Sequence, residues 1–221
     1  MMIDPKTLKF LKALSENNER EWFNERKDEY DAARSNVLDF TTAIITELSQ
    51  IDPVIPADLE AKSCVMRIYR DVRFSKNKLP YKNNFAIAIS ATGKNFHGAG
   101  YYIHIQPGKS YIAAGSWMPE ADQLKSIRQE IDYNAADLIR IIDSADFKST
   151  FIDFRAQESL RTVPKGYDAD NENIALLKLK SFIAYRDLTD KELNNRDAVN
   201  TVAKLCVKLH PLNVFLNNAI Q

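Results

Sequence analysis

Three short runs near the middle of the chain constrain its fold more than anything else. Phe85, Ile87, Ile89 and Ala91 alternate with Ala86, Ala88 and Ser90. Tyr101, Ile103 and Ile105 alternate with Tyr102, His104 and Gln106, and Pro107-Gly108 then turns the chain into Ser110–Gly115. Alternation with period two marks half-buried strands, and a short turn between two of them favours antiparallel pairing. Cys64, Met66 and Ile68 alternate with Val65, Arg67 and Tyr69, which extends the strand pattern upstream.

The flanks have a helical period. Asp4-Pro5 reads as an N-cap followed by proline at the first helical position, with Leu8, Leu11 and Leu14 on one side. Asn18 and Glu21 fit a capping box. From there Phe23, Tyr30, Val37, Thr41, Ile44 and Leu48 form one stripe that ends before Asp52-Pro53, so a single long helix of over about 40 Å is expected. Downstream, Pro119 and Glu120 open a helix with Leu124, Ile127 and Ile131, and Asn134 opens another. Pro164-Lys165-Gly166-Tyr167 is a turn, Asn173–Lys180 a short helix, Ser181–Tyr185 a short strand and Asp190–Leu209 a helix. The reading is α+β: a central, mainly antiparallel sheet flanked by helices, with a long N-terminal helix, in a single domain over 1–221.

Composition narrows the function classes. Thirty basic and thirty acidic residues give zero formal net charge, which argues against a wholly basic nucleic-acid-binding domain. The longest stretch without a charged residue, Asn95–Gly108, contains His, Asn, Gln, Gly and Pro and is too short and polar to span a bilayer. Asp4 stands where a secretion signal would want basic residues. Cys64 and Cys206 lie far apart in apolar surroundings and read as buried thiols, so a cytoplasmic protein is expected.

Familiar catalytic motifs fail. Ala91-Thr92-Gly93-Lys94-Asn95 resembles the end of a phosphate loop, but Ala88 replaces the first glycine and Asn95 the hydroxyl residue. Gly98-Ala99-Gly100 lacks a third glycine, and no G-x-S-x-G occurs. His97, His104 and His210 have no metal-ligand spacing, so no metal or cofactor is expected.

One segment is chemically distinct. Between Lys62 and Lys82 stand seven basic residues and a single acid, Asp71, interleaved with Tyr69, Phe74 and Tyr81. Arginine offers a planar fork for carboxylate or phosphate and lysine a mobile point charge. A concave array of Arg67, Arg73, Lys76, Lys78, Tyr81 and Lys82 would hold an anionic ligand, with the Arg70–Asp71 pair orienting it and Tyr102, His104 and Arg128 closing the site. Arg128 lies on the apolar stripe of its helix, so it must be paired or line a cavity. Trp22 and Trp117 are candidate walls. A solvated basic loop with Asp71 bridging arginines explains the same letters. Asp71, His104 and Tyr81 can each move a proton, which leaves an enzyme open, but no nucleophile–base pair is readable. Two other readings stand beside the anion pocket: backbone contacts and base stacking to nucleic acid, and a scaffold that presents the long helix to a partner.

The string Arg67–Lys82 resembles the hallmark of a microbial family of conserved hypothetical proteins, the domain-of-unknown-function family numbered 2461. The likeness extends to Asn17-Asn18, Glu21-Trp22-Phe23 and Tyr30, to Tyr101–Gly108, and to Gly115–Pro119 with Leu124 and Arg128. Pro164–Tyr167, Leu176–Ser181 and Pro211–Leu216 complete it. Asn173 departs from the pattern, which has His there. The resemblance implies a single-domain boundary and places the basic string, Trp22, Phe23, Trp117 and Arg128 in the family pattern; it implies no activity.

Overall fold

Asp4 begins the first helix as its side chain dictates: Oδ1 accepts the Lys6 N–H at 2.8 Å, and α1 runs Pro5–Glu16. The computed structural model describes residues 1–154 and 158–220. After α1 come α2 (Arg20–Glu25), α3 (Lys27–Leu48) and α4 (Ala61–Cys64). The sheet strands are β1 (Phe85–Ile89), β2 (Gly100–Ile105), β3 (Ser110–Ser116) and β4 (Phe182–Leu188). Between β3 and β4 lie α5 (Ala121–Ile142), α6 (Ala145–Thr150) and α7 (Ile174–Leu177). α8 (Asp190–Leu193) and α9 (Ala198–Ala219) close the chain. The sheet has order β1-β2-β3-β4 and is antiparallel, so the fold is α+β.

The chain forms two compact units. One comprises Met1–Asn95, Tyr102–Ile112 and Asp187–Leu205, the other Phe96–Tyr101, Ala113–Arg186 and Cys206–Gln221. In the first, α1 packs on α3. Asn36 pins them: its Oδ1 accepts from the Asp4 N–H and the Thr7 hydroxyl, both at 2.9 Å. Leu8, Leu11 and Leu14 are buried, as are Val37, Phe40 and Ile44. An aromatic cluster continues this core: Phe10, Phe23 and Tyr30 have ring centroids 5.0–6.3 Å apart. In the second unit α5 packs on α7 and α6. Glu120 and Gln123 close a capping box at the start of α5, and Asn134 interrupts the helix at φ −129°, where a new helix is expected. Gly115 has φ +123°, and a Cβ there would lie 1.8 Å from the Phe182 carbonyl oxygen. Only glycine fits this close approach of β3 and β4.

Four expectations need correction. The long N-terminal helix is α3, about 33 Å at about 1.5 Å per residue, and it begins at Lys27 rather than Asn18. Arg26 (φ −116°, ψ 28°) separates it from α2. The apolar stripe crosses this break because Phe23 and Tyr30 enter the same core; a stripe records burial, not backbone continuity. Asn18 is not a cap, since Glu19 precedes α2 without a side-chain bond. The segment Cys64–Tyr69 is not a strand: α4 takes Cys64, and only isolated bridges Val65↔Ile87 and Tyr69↔Tyr81 follow. The final helix is two helices, parted where Asn195 Oδ1 accepts the Asp197 N–H, and the second continues through Pro211. Pro211 removes one backbone donor without ending α9. Cys64 and Cys206 are both buried. Among the described residues no helix is long and apolar enough to cross a membrane.

Candidate functional site

The basic segment folds as an irregular hairpin in the first unit. Tyr69 faces Tyr81 across an antiparallel bridge flanked by Arg70 N–H to Pro80 O (2.9 Å) and Lys82 N–H to Ile68 O (2.8 Å). These bonds make Tyr69 and Tyr81 a non-hydrogen-bonded pair, so the peptide groups of Tyr81 face away from the partner segment. Asn18 takes both: Tyr81 N–H donates to Asn18 Oδ1, and Asn18 Nδ2 donates to Tyr81 O, each at 3.0 Å. The Tyr81 ring stacks on Phe23 at 4.0 Å and 13°. Tyr81 is therefore the root of the hairpin, with its ring packed on Phe23 and its peptide groups held by Asn18.

Opposite faces of this root carry different chemistry. Tyr81 is buried, Lys82 and Arg70 are half-buried, and Arg67 is exposed. Burial, and then the fields of Arg67 and Arg70, push the Lys82 ammonium below the usual lysine range. None of these three cations makes an ion pair among the described residues. The fields of Arg67 and Arg70 thus reach Lys82, and that of Arg67 also reaches the Asp71 carboxylate.

The far end of the hairpin is open. Arg73 forms a two-pronged pair with Asp71, Nε to Oδ1 at 3.0 Å and a terminal guanidinium nitrogen to Oδ2 at 2.7 Å. That pairing holds the Asp71 carboxyl below its ordinary range. Lys78 Nζ donates to Val72 O at 3.0 Å, which closes the tip, while Lys76 is exposed. Phe74 is 96% exposed, beside the Arg73 guanidinium at 6.0 Å from its ring centre. None of three hollows, of about 320, 460 and 260 Å³, is lined by residues 67–82; Asn83, Gln106 and Asp190 contribute to the first, Asp187 and Asp190 to the second, and Glu172 and Asn173 to the third. The cations instead sit on an open surface, because the hairpin's apolar residues turn inward at Ile68 and Tyr81 and its charges outward.

Tyr102 and His104 belong to a separate cluster on the half-buried face of β2. His104 Nε2 lies 2.9 Å from Gln106 Oε1 and Nδ1 lies 3.3 Å from the Tyr102 hydroxyl. With the Gln106 oxygen accepting, Nε2 carries the proton and Nδ1 accepts from Tyr102. The imidazole stacks on Tyr111 at 4.8 Å and 12°, and Tyr111 also bonds the Tyr102 hydroxyl. Burial lowers the His104 pKa and raises that of Tyr102. Gln106 and Tyr111 complete a cluster that the sequence reading did not assemble. The signal was the i, i+2, i+4 series 102, 104, 106 with Tyr111 returning across the hairpin.

Of the remaining expected residues, Arg128 and Trp117 lie in the second unit and Trp22 in the first. Arg128 serves backbone carbonyls: its Nε donates to Leu177 O at 2.7 Å and a terminal nitrogen to Leu179 O at 3.3 Å, at the end of α7. Burial lowers its pKa. Trp117 is 70% exposed next to Met118, a non-glycine residue at φ +44°. Trp22, in the first unit, is half-buried near Phe10, with the Arg26 guanidinium 4.6 Å over its ring. No group of three or more metal-ligating side chains occurs among the described residues.

Comparison with known proteins identifies a family. The family described as "Conserved hypothetical protein (DUF2461)" matches residues 6–215 of the 221. No curated protein and no solved structure matches the chain.

Proposed function

The chain belongs to the DUF2461 family, and we propose that its basic hairpin binds a phosphate- or carboxylate-bearing ligand on an open surface formed by Arg67, Arg70 and Lys82, with Lys76 and Lys78 beside them. One observation carries this: Lys82 is half-buried, within the fields of Arg67 and Arg70 and without an ion-pair partner among the described residues, so burial first and like charge second disfavour its ammonium. Folding tolerates such a field at a cost, and a bound anion removes that cost. Asp71 offsets part of the Arg67 charge, but both its oxygens are hydrogen-bonded by Arg73. The open geometry suits a ligand with several anionic groups better than one small enclosed anion.

No reaction is assigned. Asp71 is engaged with Arg73, Tyr81 is stacked in the core and the His104 nitrogens are both paired, so none of the three is free to act on a ligand at the cationic surface.

The test is thermal stabilisation by tripolyphosphate and by citrate. The unmodified protein should show a saturable rise in Tm. Arg67→Glu and Lys82→Gln should lose that rise while keeping their own cooperative melts, Arg67 being exposed. The same rise in both variants would contradict the assignment.

A further inference from the structure

The hairpin carries more than charge. Its tip holds Phe74, almost wholly in water, and its root holds Tyr69, 45% exposed with its ring 5.9 Å from Phe23. A phenylalanine left in solvent forfeits the burial that aromatic side chains ordinarily gain on folding. Cations lie at both ends: Arg67, Arg70 and Lys82 at the root, Lys76 and Lys78 toward the tip. Each of these stands without a carboxylate partner among the described residues.

We infer that the Tyr69–Tyr81 hairpin is a binding finger for single-stranded nucleic acid, in which Phe74 stacks on an unpaired base and the cations at root and tip follow successive phosphates. This rests on the anion-binding reading and names its ligand class. A linear polyanion with planar rings is the ligand that uses both features at once. A duplex offers the phosphates, but its bases are already stacked, so Phe74 would contribute nothing. An anionic bilayer would meet the tip alone, Phe74 with Lys76 and Lys78, and would leave the root cations idle. The chain as a whole carries zero net charge, so the salt slope expected is a modest one, set by the finger's few phosphate contacts. Each contact contributes about 0.7 to the slope for a single strand.

The experiment measures anisotropy of a labelled oligothymidylate of about 12 nucleotides, a length within the site sizes of single-strand binders. The same titration is run with a duplex of equal length, with inorganic polyphosphate as competitor, and with phosphatidylserine vesicles. The expected result is saturable binding of the single strand over the duplex. Phe74→Ala should weaken it about tenfold without changing competition by polyphosphate in relative terms, and Phe74→Trp should restore it with quenched indole emission. Phe74 touches so little of the protein that either variant folds, which circular dichroism checks. Lys82→Gln should weaken both the oligonucleotide and polyphosphate and lower the salt slope by about 0.7. Equal affinity of Phe74→Ala and the parent for the oligonucleotide overturns the inference. So does equal binding of duplex and single strand, or Phe74-dependent binding of vesicles without binding of the oligonucleotide. Polyphosphate bound through Lys82 with no oligonucleotide bound overturns this inference and leaves the anion site standing. No binding of either overturns both.

Discussion

Asn18→Ala tests how the hairpin root is held. Asn18 is the sole side chain that bonds both peptide groups of Tyr81 among the described residues, at 3.0 Å each way. The flanking backbone bonds belong to Pro80 and Ile68 and offer Tyr81 nothing in exchange. Truncation therefore leaves one N–H and one C=O without a protein partner, beside a ring that is 5% exposed. Each lost bond costs about 1 kcal/mol where water replaces Asn18 and up to about 3 kcal/mol where it does not. Partial burial of the pair puts the sum at about 2–4 kcal/mol. Urea unfolding followed by circular dichroism should show this as a lower midpoint at unchanged slope. Asn18→Ser and Asn18→Asp discriminate the mechanism. A helix cap needs only an acceptor, so both would restore most of the stability of a capping residue. The amide bonds the two peptide groups with two separate atoms; Asp has no donor, and Ser has one hydroxyl on a shorter side chain, so neither replaces it. A loss below about 1 kcal/mol in Asn18→Ala, or full recovery with Asn18→Ser, would refute the clamp.

Three further outcomes follow from the geometry. Gly115→Ala should prevent stable folding, with a loss of about 4 kcal/mol or more, because the new Cβ meets the Phe182 carbonyl at 1.8 Å and φ is +123°; a normal melting profile would contradict this. Arg128→Gln should cost about 2–3 kcal/mol in urea unfolding by leaving the Leu177 and Leu179 carbonyls with a shorter, neutral donor, without altering anion binding. Burial depresses the His104 pKa below the unfolded value of about 6.5. The unfolded chain then binds the extra proton first, so stability falls as pH drops from about 6.5 through the folded pKa and levels off below it. His104→Gln should flatten that limb of the stability–pH curve, and an unchanged curve would remove His104 as its source.

The parts of the fold legible in the sequence are those in which one local rule acts alone. Asp4-Pro5 starts a helix by its own hydrogen bond, Pro164-Lys165-Gly166-Tyr167 turns because Gly166 adopts φ +93°, and β1 to β3 follow from alternation. The failures arise where a residue answers to a distant partner. Asn18 has the letters of a cap but bonds Tyr81, sixty-three positions away. Cys64–Tyr69 alternates like a strand, yet its pairing with the β1 side is broken between the Val65 and Tyr69 bridges, so no ladder forms. α6 carries a real cap, the Ser144 hydroxyl accepting the Phe147 N–H, but six residues give too little periodicity to read.

The candidate site was legible as chemistry and not as shape. Charge and aromatic interleaving in 67–82 are visible in the letters, and so is an arginine on the apolar face of α5. That Arg128 serves backbone carbonyls, that Tyr81 faces the core and that Phe74 faces water depend on which side of each segment packs. Tyr102 and His104 share a cluster because they are two apart on one strand, which alternation does predict.

The central claim is that Lys82 sits in a field of like charge that an external anion relieves. Site-resolved NMR titration of the Lys82 ammonium, with and without polyphosphate, tests it most directly. The structure predicts a pKa below the ordinary lysine value of about 10.4, raised by Arg70→Gln and raised again in the parent protein by saturating polyphosphate. An ordinary Lys82 pKa that neither the substitution nor the anion moves would contradict the account.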